Sequence, residues 1–109
     1  MTLQNLRDLL LTIGPPVFHY FADKQKGSYI IWAEDGEGDT VHADGQKVER
    51  VITGTIDYFT NTENDPVVGQ IESALDSDDG LAWSLNLVQY EDDTGYIHYE
   101  WVWEVDGVG

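Results

Sequence analysis

Apolar residues near the start of the chain recur at intervals of three and four, the spacing that places them on one side of an α-helix. Thr2 is a suitable N-cap, and the Gly-Pro-Pro sequence at residues 14–16 ends a helix because proline cannot continue it. We therefore predict a helix over residues 2–13. Its apolar stripe consists of Leu3, Leu6, Leu9, Leu10 and Ile13.

Two short runs rich in aromatic and β-branched side chains come next, at residues 17–21 and 28–34. Both have the composition of β-strands. The polar segment 23–27 between them is typical of a turn. We therefore predict that the two runs form a hairpin.

The middle of the chain alternates between polar and strand-like segments. The acidic stretch 35–39 is predicted to be a polar loop, and residues 41–43 a brief strand before an Asp-Gly turn. Residues 47–60 form the longest strand candidate, with apolar residues on both parities, so this strand is either covered on both faces or changes face. Gly54 interrupts it, which indicates a bulge or the close approach of another backbone.

A second helix is predicted to begin at Asn64, Asp65 and Pro66, because a capping residue followed by proline is a strong helix start. Gly80 ends this segment. The apolar face consists of Val67, Val68, Ile71, Ala74 and Leu75.

The C-terminal part has a period of two in two runs separated by a polar turn at residues 91–95. Trp83, Leu85 and Leu87 alternate with polar residues in the first run. In the second run, Ile97, Tyr99, Trp101, Trp103 and Val105 alternate with His98, Glu100, Val102 and Glu104. This alternation predicts an antiparallel hairpin with one wet face. The large aromatics are expected to pack against the helices rather than to form a ligand pocket.

The element order α-β-β-(β)-β-α-β-β predicts an α+β fold, with an antiparallel sheet of about five to six strands flanked by two helices. The length of 109 residues fits a single domain over residues 1–109. We expect no signal peptide and no membrane span, because no apolar run has the required length or flanks.

Charge excludes several partners. Five Lys and Arg residues stand against 21 Asp and Glu residues, which gives a net charge of −16. A chain this acidic lacks the basic face that binds phosphates, so direct nucleic-acid binding and anionic membranes are not expected. It also has no cysteine, and therefore no disulfide and no thiolate nucleophile or ligand.

Motifs for catalysis or cofactor binding are missing from the sequence. Glu100 and Glu104 share a strand face with His98, but on the wet side of a hairpin they are expected to be solvated rather than catalytic. The three histidines have no recognisable metal spacing, and the acidic run before Gly80 fails the EF-hand pattern. We therefore predict that the protein is not an enzyme and has no catalytic, cofactor-binding or metal residues and no cofactor.

Several stretches, in order along most of the chain, resemble small tail-completion or tail-terminator proteins of long-tailed bacteriophages, a family also described as minor capsid proteins. The stretches are residues 18–21 (FHYF), 29–34 (YIIWAE), 54–60 (GTIDYFT), 64–67 (NDPV) and 98–105 (HYEWVWEV). None of them is a catalytic signature. The resemblance implies a small antiparallel sheet flanked by helices, which agrees with the pattern of the residues.

The function implied by the resemblance is structural. Such proteins cap the tail tube as a ring, possibly a hexamer, and prepare the tail for joining to the head. The expected partners are other copies of the chain, tail-tube proteins and head-connector proteins. The expected location is the virion tail, after assembly in the bacterial cytoplasm.

In a ring through which DNA passes, acidic loops would repel phosphate and keep the channel from binding DNA. The candidate lumen or rim residues are Asp35, Glu37, Asp39, Glu91, Asp92 and Asp93. The same charge also fits an alternative, an acidic DNA mimic that inhibits a DNA-binding protein.

Overall fold

The computed structural model describes residues 1–38 and 50–106 in full and the backbone of residues 42–43 and 46–47. Two helices and seven strands are found in these residues. In chain order they are α1 Leu3–Leu11, β1 Val17–His19, β2 Tyr29–Glu37, β3 His42–Ala43, β4 Gln46–Lys47, β5 Val51–Thr60, α2 Pro66–Asp76, β6 Leu81–Glu91 and β7 Tyr96–Asp106.

Five of the strands form one sheet in the order β1-β2-β5-β7-β6, and β3 pairs with β4 in a separate two-stranded ladder. The α+β class and the size of the main sheet are therefore as predicted. The sheet is mixed rather than antiparallel, because β1 runs parallel to β2 while the other neighbours are antiparallel.

The predicted hairpin at residues 17–21 and 28–34 is wrong. The two strands are parallel, so the connection has to return along the length of β1 before β2 begins. This distance is short, because β1 has only three residues. Tyr20 begins that return in the left-handed region, at φ 68°. The Tyr96 hydroxyl, 2.9 Å from the carbonyl oxygens of Gln25 and Gly27, holds the far end of the connection against the sheet.

The acidic segment predicted as a loop is partly strand. β2 continues to Glu37 because β5 runs beside it, with Gly36 opposite Thr53 and Glu37 opposite Ile52. A bulge between Glu34 and Gly36 precedes this extension. Asp39 lies outside the described residues.

The brief strand predicted at residues 41–43 is found as β3, whose His42 and Ala43 lie opposite Lys47 and Gln46 of β4. Val41 and the predicted turn at residues 44–45 lie outside the described residues. The long strand predicted from Lys47 begins at Val51 as β5.

Both helices pack on one face of the sheet and enclose a single core. Residues of β5 alternate strictly between buried and half-buried, so this strand keeps its faces throughout and does not change face at Gly54. Trp101 and Trp103 are buried against the helices, as predicted. The core consists of Leu6, Leu10, Ile30, Trp32, Ile52, Ile56, Tyr58, Ile71, Leu75, Leu81, Trp101, Trp103 and Val105.

Both helix starts are as predicted. At α1 the Thr2 hydroxyl accepts a hydrogen bond from the Asn5 amide, and the Asn5 side chain accepts one from the Thr2 amide. At α2 the N-cap is Asp65, followed by Pro66 at the first turn. The second helix ends at Asp76, before Gly80.

Candidate functional site

The face of the sheet opposite the helices carries a cluster of titratable side chains around His98. Its Nε2 atom is 2.6 Å from Oδ1 of Asp57, and its Nδ1 atom is 3.5 Å from Oε2 of Glu91. Glu100 lies opposite Asp57 in the ladder between β5 and β7 and accepts a hydrogen bond of 2.9 Å from the side-chain amide of Asn86. The His98 ring also stacks on Phe59, with ring centres 4.3 Å apart.

These neighbours determine the protonation of His98. Burial alone lowers its pKa, but the hydrogen bond with Asp57 and the charges of Asp57, Glu91 and Glu100 outweigh burial and raise the pKa above its ordinary value of 6.5. The protonated ring offsets the repulsion that two carboxylates directly opposite each other would otherwise produce.

The same atoms decide what the cluster can do chemically. One ligand atom each from Asp57, His98 and Glu100 lies within 4.8 Å of the others, a spacing that a cation could bridge. Nε2 of His98, however, already faces Asp57 in an ion pair. A metal bound to this nitrogen would have to displace the proton that lies between Nε2 of His98 and Asp57. The two side chains are therefore already paired with each other without a metal.

The acidic side chains at the end of β2 are held by neighbours rather than extended into a loop. The Thr53 hydroxyl donates a hydrogen bond of 2.7 Å to Asp35, and Arg50 Nε donates one to Glu37. Both carboxylates lie at the end of the sheet where β2 and β7 finish, which we call the Glu37 end.

Glu91, Asp92 and Asp93 lie at the opposite end of the sheet, where β6 turns into β7, which we call the Tyr96 end. Glu91 is partly enclosed by His98 and accepts a hydrogen bond of 3.1 Å from the Thr94 hydroxyl. Asp92 and Asp93 are exposed. The two acidic groups suggested by the sequence are therefore not brought together but occupy opposite ends of the strands.

Strand β6 is the least covered part of the described fold. It forms one edge of the sheet, and every residue from 84 to 90 is exposed. A bulge between Leu85 and Leu87 breaks the alternation predicted for this run, so that apolar side chains emerge on both faces. Its exposed large apolar side chains are Leu85, Leu87, Val88 and Tyr90, the last with 61% of its surface accessible.

The opposite edge of the sheet is β1, and it is also followed by exposed aromatic side chains. Tyr20 and Phe21 expose 58% and 71% of their surface. His19 is fixed by stacking on Trp32, at 4.0 Å between ring centres, and by its contact with Glu34. The left-handed backbone at Tyr20, uncommon for a bulky residue, directs the chain away from the sheet at this point.

These two edges were not found as functional residues from the sequence, although a signal was present. The two longest stretches without Asp, Glu, Lys or Arg are residues 9–22 and 80–90. The first contains β1 and the second contains nearly all of β6. In a chain of net charge −16, β1 and all of β6 except Glu91 therefore lie in segments free of Asp, Glu, Lys and Arg.

One depression among the described residues has a volume of about 350 Å³ and lies over Gly54 and Trp103. Asp35 and Glu104 are its acidic lining residues, and its lining contains no histidine, lysine or cysteine. The Trp103 Nε1 atom is buried and has no hydrogen-bond partner among the described residues. Within this lining, the Thr53 hydroxyl donates its hydrogen bond of 2.7 Å to Asp35.

No family model and no curated protein matches the sequence. Neither α1 nor α2, the helices of the described residues, has the length and apolar character needed to cross a membrane.

Proposed function

We propose that the chain is a structural tail-completion or tail-terminator protein of a bacteriophage or prophage, which caps the tail tube as a ring and prepares head-tail joining. The partners in this proposal are other copies of the chain, the tail-tube protein and the head-connector protein. The location is the virion tail, after assembly in the bacterial host cytoplasm. No enzymatic step is part of the proposal.

The observation that carries the proposal is the pair of sheet edges that carry exposed large apolar side chains and little charge on an otherwise acidic chain. Exposed edge strands are normally protected by charged side chains, proline or a covering segment, because they pair with other chains. Contiguous exposed apolar surface is typical of a contact site. Edges of this kind favour a protein that is covered by other subunits when it works.

The charge fits the same role. If the strands run roughly along the axis of the ring, Asp35 and Glu37 lie near one rim, and Glu91, Asp92 and Asp93 lie near the other. Acidic rims would repel DNA phosphates and keep DNA from binding during its passage.

Negative-stain microscopy tests the proposal directly. The purified protein should form rings of uniform diameter, and a ring should be found at one end of tail tubes mixed with it. Tubes without added density, together with a protein that forms no ring, would reject the proposal.

A DNA-mimic inhibitor is the second candidate, and its support is the net charge of −16. It predicts a monomer or dimer that binds a basic DNA-binding protein, with an affinity that falls steeply as salt increases. The apolar edges have no role in such a mechanism, which is why we place it second.

A further inference from the structure

We propose that copies of the chain join head to tail through the two edges of the sheet, with β6 of one copy beside β1 of the next. This inference rests on the proposed ring and specifies the surface that closes it. The occupant of each edge is a second copy of this chain. Every copy would then contact one neighbour through β6 and the other neighbour through β1. Head-to-tail contacts of this kind form a ring when the rotation between copies closes.

The first support is the state of β6. It has no proline and no lysine, and its single charged residue, Glu91, lies at its end. Of the features that protect edge strands, it has the bulge between Leu85 and Leu87. One side of its backbone pairs with β7, and no strand of the described chain pairs with the other side. A strand of eleven residues with such an edge is a template for another strand.

The second support is the direction of the two edges. β1 is parallel to β2, and each further step across the sheet, from β2 to β5, β7 and β6, reverses the direction. β6 therefore runs antiparallel to β1. When copies stand side by side around an axis along the strands, β6 meets the next β1 as an antiparallel neighbour, the common pairing of sheets.

The third support is the position of the exposed side chains along the strands. Residues that are paired successively from strand to strand lie at the same level along the strand direction. By this pairing, His19 of β1 lies level with Leu85 of β6, and Val17 lies level with Val88. The apolar part of β6 therefore lies at the height of β1. Phe21, which follows β1 and exposes 71% of its surface, is available to cover it, while Tyr20 is held by a hydrogen bond of 3.1 Å from its hydroxyl to the Glu34 carbonyl.

Charge favours a second copy over another kind of partner. Two chains of net charge −16 repel each other, and they approach most easily where carboxylates are missing. Residues 9–22 and 80–90 are the longest stretches that meet this condition. A basic partner would instead be attracted to the carboxylates elsewhere on the surface. A symmetric contact between two β6 strands would use one edge only and leave Tyr20 and Phe21 exposed.

Cross-linking tests the contact between β6 of one copy and β1 of the next, which we call the seam. Because the chain has no cysteine, only the introduced cysteines can react. We would prepare Phe21→Cys and Leu85→Cys separately, with Ser73→Cys on the exposed surface of α2 as a control. With a short bis-maleimide, the first two proteins should cross-link when mixed but not when treated alone. The variant carrying both substitutions should give a ladder that ends at the size of the ring. Ser73→Cys should give no product.

Cross-linking of Leu85→Cys with itself would overturn the seam in favour of a symmetric β6 contact. Rings seen in the microscope without the mixed product would overturn the seam and leave the proposed ring intact. Loss of every oligomer in the unmodified protein, with or without tail tubes, would overturn both.

A charge placed on the edge provides a second test. Val88→Glu adds a carboxylate to β6 where the side chain is 52% exposed, so the monomer should still fold. Ser73→Glu adds the same charge on α2. Circular dichroism should be unchanged for both variants, while ring formation should be lost for Val88→Glu and kept for Ser73→Glu. Equal ring formation by the two variants would reject the seam.

Discussion

Asp57 and His98 lie on the two adjacent strands β5 and β7, with Nε2 of His98 2.6 Å from Oδ1 of Asp57. The pair is mostly shielded from solvent, since about 15% of the His98 side chain is exposed. Glu91 and Glu100 add negative charge around the same ring. The fold therefore favours the charged form of His98.

This pair predicts a loss of stability with rising pH. A histidine whose pKa is raised by folding stabilises the protein fully below its pKa in the unfolded chain, and that stabilisation disappears as the pH rises through the higher folded pKa. Thermal unfolding measured over about pH 5 to 9 should show a decline on the alkaline side. In His98→Gln this decline should be smaller. An unchanged decline would show that His98 is not its source.

Gly54 predicts a strong effect of a single methyl group. A Cβ at this position would come within 2.2 Å of both the Ala33 carbonyl oxygen and the Trp103 ring. Gly54→Ala should therefore destabilise the protein by about 2 kcal/mol or more, because the sheet or the indole must move.

Gly69 is the matched control for this substitution. It lies within α2, and a Cβ there meets nothing within 4 Å. Gly69→Ala should stabilise the protein by about 0.5–1 kcal/mol, since alanine has the higher helix propensity. Chemical denaturation of both variants measures the contrast, and equal effects would contradict the close approach at Gly54.

Removal of the Asp65 carboxylate, which has three hydrogen-bond partners, is predicted to lower the stability of the protein. This carboxylate accepts hydrogen bonds from the Tyr58 hydroxyl at 2.6 Å, the Thr60 hydroxyl at 2.7 Å and the Val67 amide at 2.9 Å. Asp65→Ala should cost about 2–4 kcal/mol, since it removes a helix cap and leaves the hydroxyls of two buried residues without their acceptor. Thr2→Ala, which removes only the cap of α1, should cost about 1 kcal/mol. Similar losses in urea unfolding would refute the larger role of Asp65.

Asp65 also predicts the acid limit of stability. Burial raises the pKa of its carboxyl, but the hydrogen bonds from Tyr58, Thr60 and Val67 outweigh burial and lower it. A carboxyl of this kind stabilises the fold above its unfolded pKa, and the contribution is lost as the pH falls through the lower folded value. Acid titration monitored by tryptophan fluorescence should therefore show a weaker acid transition in Asp65→Asn. An identical acid transition would contradict this role.

Assembly is predicted to strengthen with salt. Subunits of net charge −16 repel each other, and the range of this repulsion falls from about 10 Å at 0.1 M salt to about 3 Å at 1 M. The proposed seam has few charged groups, namely Glu91 at the end of β6 and Glu34 beside His19 of β1, so salt removes more repulsion than attraction. Light scattering should therefore detect more oligomer as salt rises. Less oligomer at high salt would indicate an interface held by ion pairs.

Much of the fold could be predicted from the sequence because the signals were local. Thr2 and Asp65 mark helix starts through their own side chains, and the alternation from Ile97 to Val105 fixes the faces of β7 without information from elsewhere. For Gly54 the sequence left a bulge and the close approach of another backbone as alternatives, and the structure shows the close approach, to the Ala33 carbonyl oxygen.

The errors concern relationships between distant segments. The parallel pairing of β1 with β2 depends on the backbone at Tyr20 and on the contact of Tyr96 with the connection, and neither is visible in the pattern around residues 17–34. The partner of His98 is Asp57, which is distant in the sequence and adjacent only through the strand order. The exposure of β6 follows from its place at the edge, while its alternation alone suggested one buried side.

The mass of the purified protein tests self-assembly most directly. Native mass spectrometry and sedimentation over a range of protein and salt concentrations should find one closed oligomer, whose subunit number stays fixed as the concentration rises. A monomer or a dimer at every concentration and salt, or a distribution that lengthens without limit, would contradict self-assembly into a ring in the absence of the tail tube.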